Sequence, residues 1–195
     1  MARAAEVRAA LSAQLQQEGI ALRILPNAEH HLTAELLARC QGGAVETLGG
    51  AGHWLLIELP WRGIANLDDA LFRLQAKGYR LLLAHPERYG YLDNDKVAAL
   101  VQRGVRTQLE IGSFVNLYGK NAHYRALELA DRGLAHLLAS DMHSAVDAAT
   151  WLKGGLRAVA DRYGKSAVRR ATLDNPGALL RDAHPDEVAP LAEAR

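Results

Sequence analysis

Five acidic and imidazole side chains stand at or shortly after the ends of apolar segments in this chain of 195 residues. They are Glu29, Glu58, His85, Asp141 and His143. Two histidines and three carboxylates form a nitrogen and oxygen ligand set that suits hard or borderline divalent metals. Because three carboxylates at one place repel one another unless cations lie between them, the pattern predicts a centre of two or more metal ions.

Each of these residues also has an interpretation without chemistry. Glu58 could be an edge-strand carboxylate, although an unpaired charge among apolar neighbours would be costly. His85 could be a hydrogen-bonded histidine of the core, and Asp141 could cap the segment that follows it. Glu29 could lie in a solvated turn with the two histidines that come after it, of which the second is expected to be structural.

Other residues of the same types receive a smaller role or none. Glu110 also ends an apolar segment and is a weaker candidate, whereas Glu87 is expected at the surface. His136 does not follow a predicted strand, so it receives no role. A cysteine-dependent phosphatase would need an arginine six residues after its cysteine, but Glu46 occupies that position after Cys40. This cysteine is therefore expected to be a small buried or half-buried residue.

The elements that must position these side chains alternate between short apolar strands and amphipathic helices. Strands are predicted over 21–25, 54–59, 80–84, 105–111 and 135–139. Helices are predicted over the first 19 residues and over 31–39, 67–77, 94–103, 121–132, 148–163, 165–172 and 176–181. Repeated strand and helix units predict an α/β fold with right-handed connections and a mainly parallel sheet. Because parallel strands end at one edge of the sheet, the five side chains should converge there.

Composition restricts the class of protein further. Hydrophobic residues make up 49% of the chain, enough for a core. A net charge of +1 argues against a strongly basic nucleic-acid binder. A single cysteine excludes an internal disulfide and a multi-cysteine zinc site. No apolar run reaches the roughly 18 residues that span a membrane, and no secretion signal is evident, so a cytoplasmic location without membrane insertion is expected.

Four segments, taken together, resemble a known family. They are WLLIELP, LLLAHPERYGYL, QLEIGSFVNLYGK and HLLASDMHS. In order and spacing they resemble the manganese-dependent bacterial protein tyrosine phosphatases of capsular and exopolysaccharide operons, which belong to the polymerase and histidinol phosphatase (PHP) superfamily. The resemblance extends from about Leu22 to the end of the segment DNPGALLRD.

This resemblance implies a distorted (β/α)7 barrel with a trinuclear metal site, in which the five residues of the opening paragraph are the metal ligands. It implies that Arg88 is the catalytic arginine that holds the substrate phosphate, a role that suits a guanidinium fork. Manganese is the implied ion, with iron, zinc or magnesium as alternatives. The implied partner is a phosphotyrosine protein, namely a bacterial tyrosine kinase that controls polysaccharide export. No nucleic acid is expected, and an oligomer is left open.

The sequence also departs from the family pattern. Neither the family's opening His-x-His strand nor its Thr-Pro-His histidine occurs, so an N-terminally truncated, incomplete barrel is expected. No arginine follows His143 until Arg157. One PHP-like domain over 1–195 is expected, with a helix over 1–19, the site-bearing units over 20–145 and helices over 146–195. The alternatives to a tyrosine phosphatase are a shortened, non-catalytic or weakly active relative that binds a phosphoprotein, and a small-molecule phosphatase of the same superfamily.

Overall fold

Five strand and helix units form one α/β fold in the computed structural model, which describes residues 2–43, 45–50, 52–144, 146 and 148–194. The strands are β1 (Glu29–His31), β2 (Trp54–Glu58), β3 (Arg80–Ala84), β4 (Arg106–Glu110) and β5 (Leu137–Ala139). The helices are α1 (Ala2–Gln17), α2 (Ala34–Gln41), α3 (Leu67–Ala76), α4 (Asn94–Gln102), α5 (Lys120–Asp131), α6 (Lys153–Tyr163), α7 (Lys165–Arg169) and α8 (Asn175–Leu180).

The strands pair in parallel, and their order across the sheet is their order along the chain. The prediction of a parallel α/β sheet is therefore confirmed. Successive residues of the central strands face opposite sides and are buried on both, as expected of apolar runs in a parallel sheet. Leu55 and Leu83 belong to the larger core under α2 to α7, whereas Trp54 and Leu82 belong to a smaller core that α8 covers.

The prediction of a strand over 21–25 is wrong, because the first strand is β1. In the register that sets Glu29 opposite Leu56, residues 21–25 would extend beyond the beginning of β2. The chain opposite them forms the helical turn Leu48–Gly50, so they have no strand to pair with. Leu22 is accordingly 62% exposed.

Helix boundaries follow local capping. Helix α2 begins at Ala34 rather than at residue 31, because the hydroxyl of Thr33 accepts a hydrogen bond from the backbone of Leu36 and caps the helix. Gly78 follows α3 in the left-handed conformation (φ 89°) and turns the chain into β3. Wide π-type turns occur at Ala148–Leu152, where the predicted helix over 148–163 begins, and at Arg170–Asp174, which extends past the end of the predicted helix over 165–172.

The order of the strands decides where side chains can meet. Strands β2 to β5 end at a common edge, called here the carboxyl edge, and β1 lies wholly at this edge because it pairs only with the last residues of β2. The opposite side, where the strands begin, is called the amino edge. Among the described residues, no helix is both long and apolar enough to cross a membrane.

Candidate functional site

A first group of possible ligands forms where β1, β2 and β3 meet at the carboxyl edge. Glu29 is the first residue of β1, Glu58 is the last of β2, and His85 follows β3 directly. The Nε2 of His85 lies 3.2 Å from Oε1 of Glu29 and 3.8 Å from Oε1 of Glu58. One possible ligand atom from each of the three lies within 4.8 Å of the others. The second carboxylate oxygen of Glu58 lies 2.8 Å from Nδ1 of His31.

A second group shares the same histidine and extends toward β5. It consists of His85, Glu110 at the end of β4, and Asp141, whose possible ligand atoms again lie within 4.8 Å of one another. The two groups together bring side chains from all five strand and loop units to one edge. Four of the five predicted residues therefore meet there, and Glu110, the weaker candidate, joins them.

His143, the fifth predicted residue, lies outside both groups. It is exposed, and its Nδ1–H donates to the carbonyl oxygen of Asp141 (2.9 Å). That bond leaves Nε2 as the nitrogen that can act as an acceptor or a metal ligand. His143 is near enough to Glu29 to contribute to the lowered pKa of that carboxylate, for which the hydrogen bond from His85 is the largest cause.

His85 is held in an unusual state. Its backbone adopts the left-handed conformation (φ 36°, ψ 53°), which costs about 1–3 kcal/mol in a non-glycine residue. The side chain is 3% exposed, and its Nδ1 has no hydrogen-bond partner among the described residues. Burial acts to lower its pKa, but the hydrogen bond to Glu29 and the charge of Glu110 outweigh burial, so the pKa of His85 is raised. Asp141 also has a positive φ, at 47°.

Arg88 lies beside these groups in the turn Pro86–Arg88. Its Nη1 donates to Oε1 of the fully buried Glu110 (2.6 Å) and lies 3.8 Å from Oδ2 of Asp141. Its guanidinium carbon is 4.8 Å from the ring centroid of Trp61 and 4.3 Å from that of Tyr118. Burial acts to lower the pKa of Arg88, but the bond to Glu110 raises it, so the side chain is a fixed cation.

The prediction that Glu87 lies at the surface is wrong, because the turn after β3 directs its side chain under the end of β4. It is 1% exposed, and its Oε1 accepts bonds from the backbone of Glu110 and the hydroxyl of Ser113, both at 2.8 Å. Its Oε2 has no hydrogen-bond partner within the described part of the chain. Burial raises its pKa to about 7.

Helix α5 fixes the segment that carries Arg88. The guanidinium of Arg125 donates to the backbone carbonyls of Glu87 (3.3 Å), Tyr89 (2.5 Å) and Leu92. The planar guanidinium of Arg125 thus donates hydrogen bonds to several backbone carbonyls of the irregular segment that follows β3. The segment after β3 therefore has a defined course from His85 to the start of α4.

Sequence reasoning assigned no role to Trp61 or Tyr118. Trp61 follows the segment WLLIELP, and Tyr118 lies in QLEIGSFVNLYGK, so both stand shortly after a carboxylate that ends a strand. The available signal was an aromatic residue three positions after Glu58 and another eight positions after Glu110. Their contact with Arg88 depends on the folding of two separate loops, which no local pattern specifies.

Comparison with known proteins places these features in a family context. Residues 1–181 match the family model described as capsular polysaccharide synthesis, CpsB/CapC. The chain is 31% identical over 137 residues to the tyrosine-protein phosphatase YwqE of Bacillus subtilis, covering 69% of this chain and 54% of that relative. It is 25% identical over 168 residues to the tyrosine-protein phosphatase CpsB of Streptococcus pneumoniae, covering 83% and 69% of the two chains.

The fold also matches solved structures, those of YwqE from Bacillus subtilis and CpsB from Streptococcus pneumoniae, which are described as unique metal-dependent tyrosine phosphatases. The TM-score is 0.81 at 27% identity, over 91% of this chain and 72% of the solved chain. Although the fold match is extensive, the chain spans about half the length of YwqE, the first of the curated relatives that it matches.

Proposed function

Because the chain belongs to the capsular polysaccharide synthesis CpsB/CapC family, we propose that it is a metal-dependent phosphatase that hydrolyses phosphotyrosine in proteins. The observation that carries the proposal is the convergence of Glu29, Glu58 and His85, next to a second group whose Glu110 and Asp141 contact Arg88. Relatives named tyrosine-protein phosphatases support it, as does a solved structure described as a metal-dependent tyrosine phosphatase. Since the chain spans about half of YwqE, the activity of the whole protein is part of the proposal.

The residues at the carboxyl edge fit divalent cations. Carboxylate oxygens and an imidazole lie within 4.8 Å of one another, and a buried imidazole nitrogen has no partner among the described residues. The proposed ligands are Glu29, Glu58, His85, Asp141 and His143. Manganese is the proposed ion, and iron, zinc and magnesium are alternatives that accept the same nitrogen and oxygen donors. When bound, such ions lower the pKa of water and neutralise charge on a phosphoryl group.

Arg88 is proposed to hold the phosphate of the substrate. Glu110 accepts from one guanidinium nitrogen (2.6 Å), which fixes the direction of the planar fork. The remaining N–H groups can then donate to phosphate oxygens in the paired geometry that arginine favours. The buried carboxylate of Glu110 also offsets part of the positive charge of Arg88. Binding of a phosphate therefore depends on the direction of the guanidinium N–H groups as well as on charge.

Membership of the family supports a more specific proposal for the substrate and for the fold. The proposed substrate is a tyrosine kinase of the capsule or exopolysaccharide system, since the family model is one of capsular polysaccharide synthesis. The proposed architecture is a distorted (β/α)7 barrel of the PHP type, to which the five parallel strands in chain order would contribute.

The test is hydrolysis of a phosphotyrosine peptide by the purified protein with manganese, with a chelator, and after manganese is restored. Activity should require the ion, return on its addition, and fall at least about 100-fold in His85→Ala. His53→Gln is the matched control, because that exposed histidine also contacts a carboxylate but lies at the amino edge. Hydrolysis that persists in chelator and in His85→Ala contradicts the proposal. Binding of phosphopeptide without turnover supports a phosphoprotein-binding relative instead.

A further inference from the structure

A cleft of about 370 Å³ opens beside Arg88, outside the two groups of possible ligands. Trp61 and Tyr118 line it, together with Arg88 and the start of α5 around Asn121. The side chain of Arg88 is 25% exposed and forms part of the cleft lining. The cleft thus combines a reachable cation with two aromatic rings.

Trp61 is a rigid wall of this cleft. Its ring stacks on His85 with centroids 5.6 Å apart and planes 4° from parallel, and it also packs against the buried Tyr89 at 5.2 Å. Yet Trp61 is 49% exposed, which is a large apolar area to leave in water beside a fixed cation. Its orientation is therefore set by the candidate site, and about half of the residue is open to a ligand.

Tyr118 provides the second ring. Burial, together with the charge of Glu110, raises its pKa, so the phenol stays neutral at physiological pH. Its position depends on Gly112, because a Cβ there would lie 2.7 Å from Leu117 and 3.0 Å from the Tyr118 ring. Because the chain at Leu117 and Tyr118 packs closely against Gly112, the centroid of the Tyr118 ring lies 4.3 Å from the guanidinium carbon of Arg88.

We propose that Trp61 and Tyr118 receive the aromatic ring of a phosphate ester held by Arg88, and so select aryl phosphates over alkyl phosphates. The inference rests on the proposed function, because it concerns the substrate of the same site. The ring of phosphotyrosine follows its phosphate directly, so a phosphate at the guanidinium places that ring beside the two walls. The short alkyl chain of phosphoserine offers them no aromatic surface. Each ring contact contributes a preference of roughly three- to tenfold.

The kinetic test compares two peptides of identical flanking sequence, one with phosphotyrosine and one with phosphoserine, on the manganese-loaded protein. The measured quantity is the ratio of kcat/KM for the phosphotyrosine peptide to kcat/KM for the phosphoserine peptide. This ratio should fall roughly three- to tenfold in Trp61→Leu, whereas Trp61→Phe should retain most of the preference for phosphotyrosine. Tyr118→Leu should lower the ratio similarly, and Tyr118→Phe should preserve it. Phe72→Leu, at an exposed aromatic residue of α3, is the control and should leave the ratio unchanged. A ratio that Trp61→Leu leaves unchanged overturns the inference.

A binding measurement separates this inference from the proposed function. Calorimetry with phenyl phosphate and methyl phosphate should show tighter binding of the phenyl ester to the unaltered protein, and Trp61→Leu should reduce this preference roughly three- to tenfold. If neither peptide is hydrolysed but the preference is present, the aromatic site stands and the phosphatase proposal fails. If both peptides are hydrolysed and no preference for the phenyl ester is measured, the phosphatase stands and the aromatic site is wrong.

Discussion

His85 and His136 are almost equally buried, at 3% and 2% exposed, but their surroundings differ in every respect. His136 precedes β5 at the amino edge, where its Nδ1 lies 3.1 Å from the Thr107 hydroxyl and 3.3 Å from the Thr107 backbone nitrogen. Burial, with a smaller contribution from the nearby Arg106, lowers its pKa to about 3. His85 follows β3 at the carboxyl edge, lies among carboxylates and keeps a ring nitrogen without a partner among the described residues.

This difference shows that burial alone does not distinguish a structural histidine from a candidate ligand. At the amino edge, the Nδ1 of His136 has partners in the protein itself, the hydroxyl and the backbone nitrogen of Thr107. At the carboxyl edge, carboxylates converge, the backbone at His85 and Asp141 is strained, and polar atoms are left for a ligand. The position of a histidine relative to its strand, which the sequence shows, therefore carries more information than the burial of its side chain.

The largest expected effect comes from exchanging each histidine for asparagine. His85→Asn should lower kcat/KM for a phosphotyrosine peptide at least about 100-fold, because it removes a proposed ligand shared by both groups. His136→Asn should leave kcat/KM within about threefold, since distant changes seldom couple to a site. Steady-state kinetics of both variants with manganese present measure the contrast. Equal losses in the two variants would show that the edges of the sheet do not differ in function.

A smaller effect is expected on stability in acid. The pKa of His136 lies near 3 in the folded protein, whereas it is about 6.5 in the unfolded chain. Between these values the unfolded state binds the extra proton, so the free energy of unfolding should fall as the pH drops below 6.5. From pH 6.5 to 5.0 this contribution amounts to about 2 kcal/mol.

Urea unfolding of the wild type and of His136→Asn at both pH values isolates that contribution. The variant should lose about 2 kcal/mol less than the wild type over the same interval. An identical loss in the two proteins would mean that His136 is not held neutral by its surroundings.

Glu87 gives the corresponding test at the carboxyl edge, with the opposite dependence on pH. Burial raises its pKa to about 7, so its contribution to stability is present below about pH 4.5 and is lost as the pH rises to 7. Glu87→Gln should therefore be more stable than the wild type at pH 8, by about 3 kcal/mol, and similar to it at pH 4.5. Glu128→Gln, at an exposed position, is the control for thermal and urea unfolding. A Glu87→Gln variant that is less stable than the wild type at pH 8 would contradict the raised pKa of Glu87.

The smallest effect is expected at His53, which superficially resembles His85. Its Nδ1 lies 2.7 Å from Oδ2 of Asp182, but the side chain is 58% exposed and lies at the amino edge. His53→Gln should change the free energy of unfolding by no more than about 0.5 kcal/mol and leave kcat/KM unchanged. Loss of activity in this variant would contradict the distinction between the two edges.

The sequence predicted the main strands well, because a buried parallel strand is a continuous apolar run. The strand predicted over 80–84 is β3, with the same bounds. The failure at 21–25 has a different origin, since those residues are apolar but have no strand opposite them. Whether residues 21–25 form a strand depends on pairing with a distant segment, and a local sequence pattern does not specify such pairing.

The candidate site was predictable to the extent that it depends on strand ends. Glu58 and His85 could be identified because β2 and β3 stop at those positions. Glu87 could not be placed, because its burial depends on a turn that reverses toward β4. Trp61 and Tyr118 were missed for a similar reason, since they meet only through Arg88.

The strict agreement between strand order and chain order has a consequence for biogenesis. As the polypeptide leaves the ribosome, each new strand can pair with the strand made just before it, so the sheet can grow in the direction of synthesis. Asp141 and His143 emerge just after β5, later than the other proposed ligands at the carboxyl edge. The set of proposed ligands is therefore incomplete in a nascent chain until β5 has docked, so we expect cation binding by this set to follow that step.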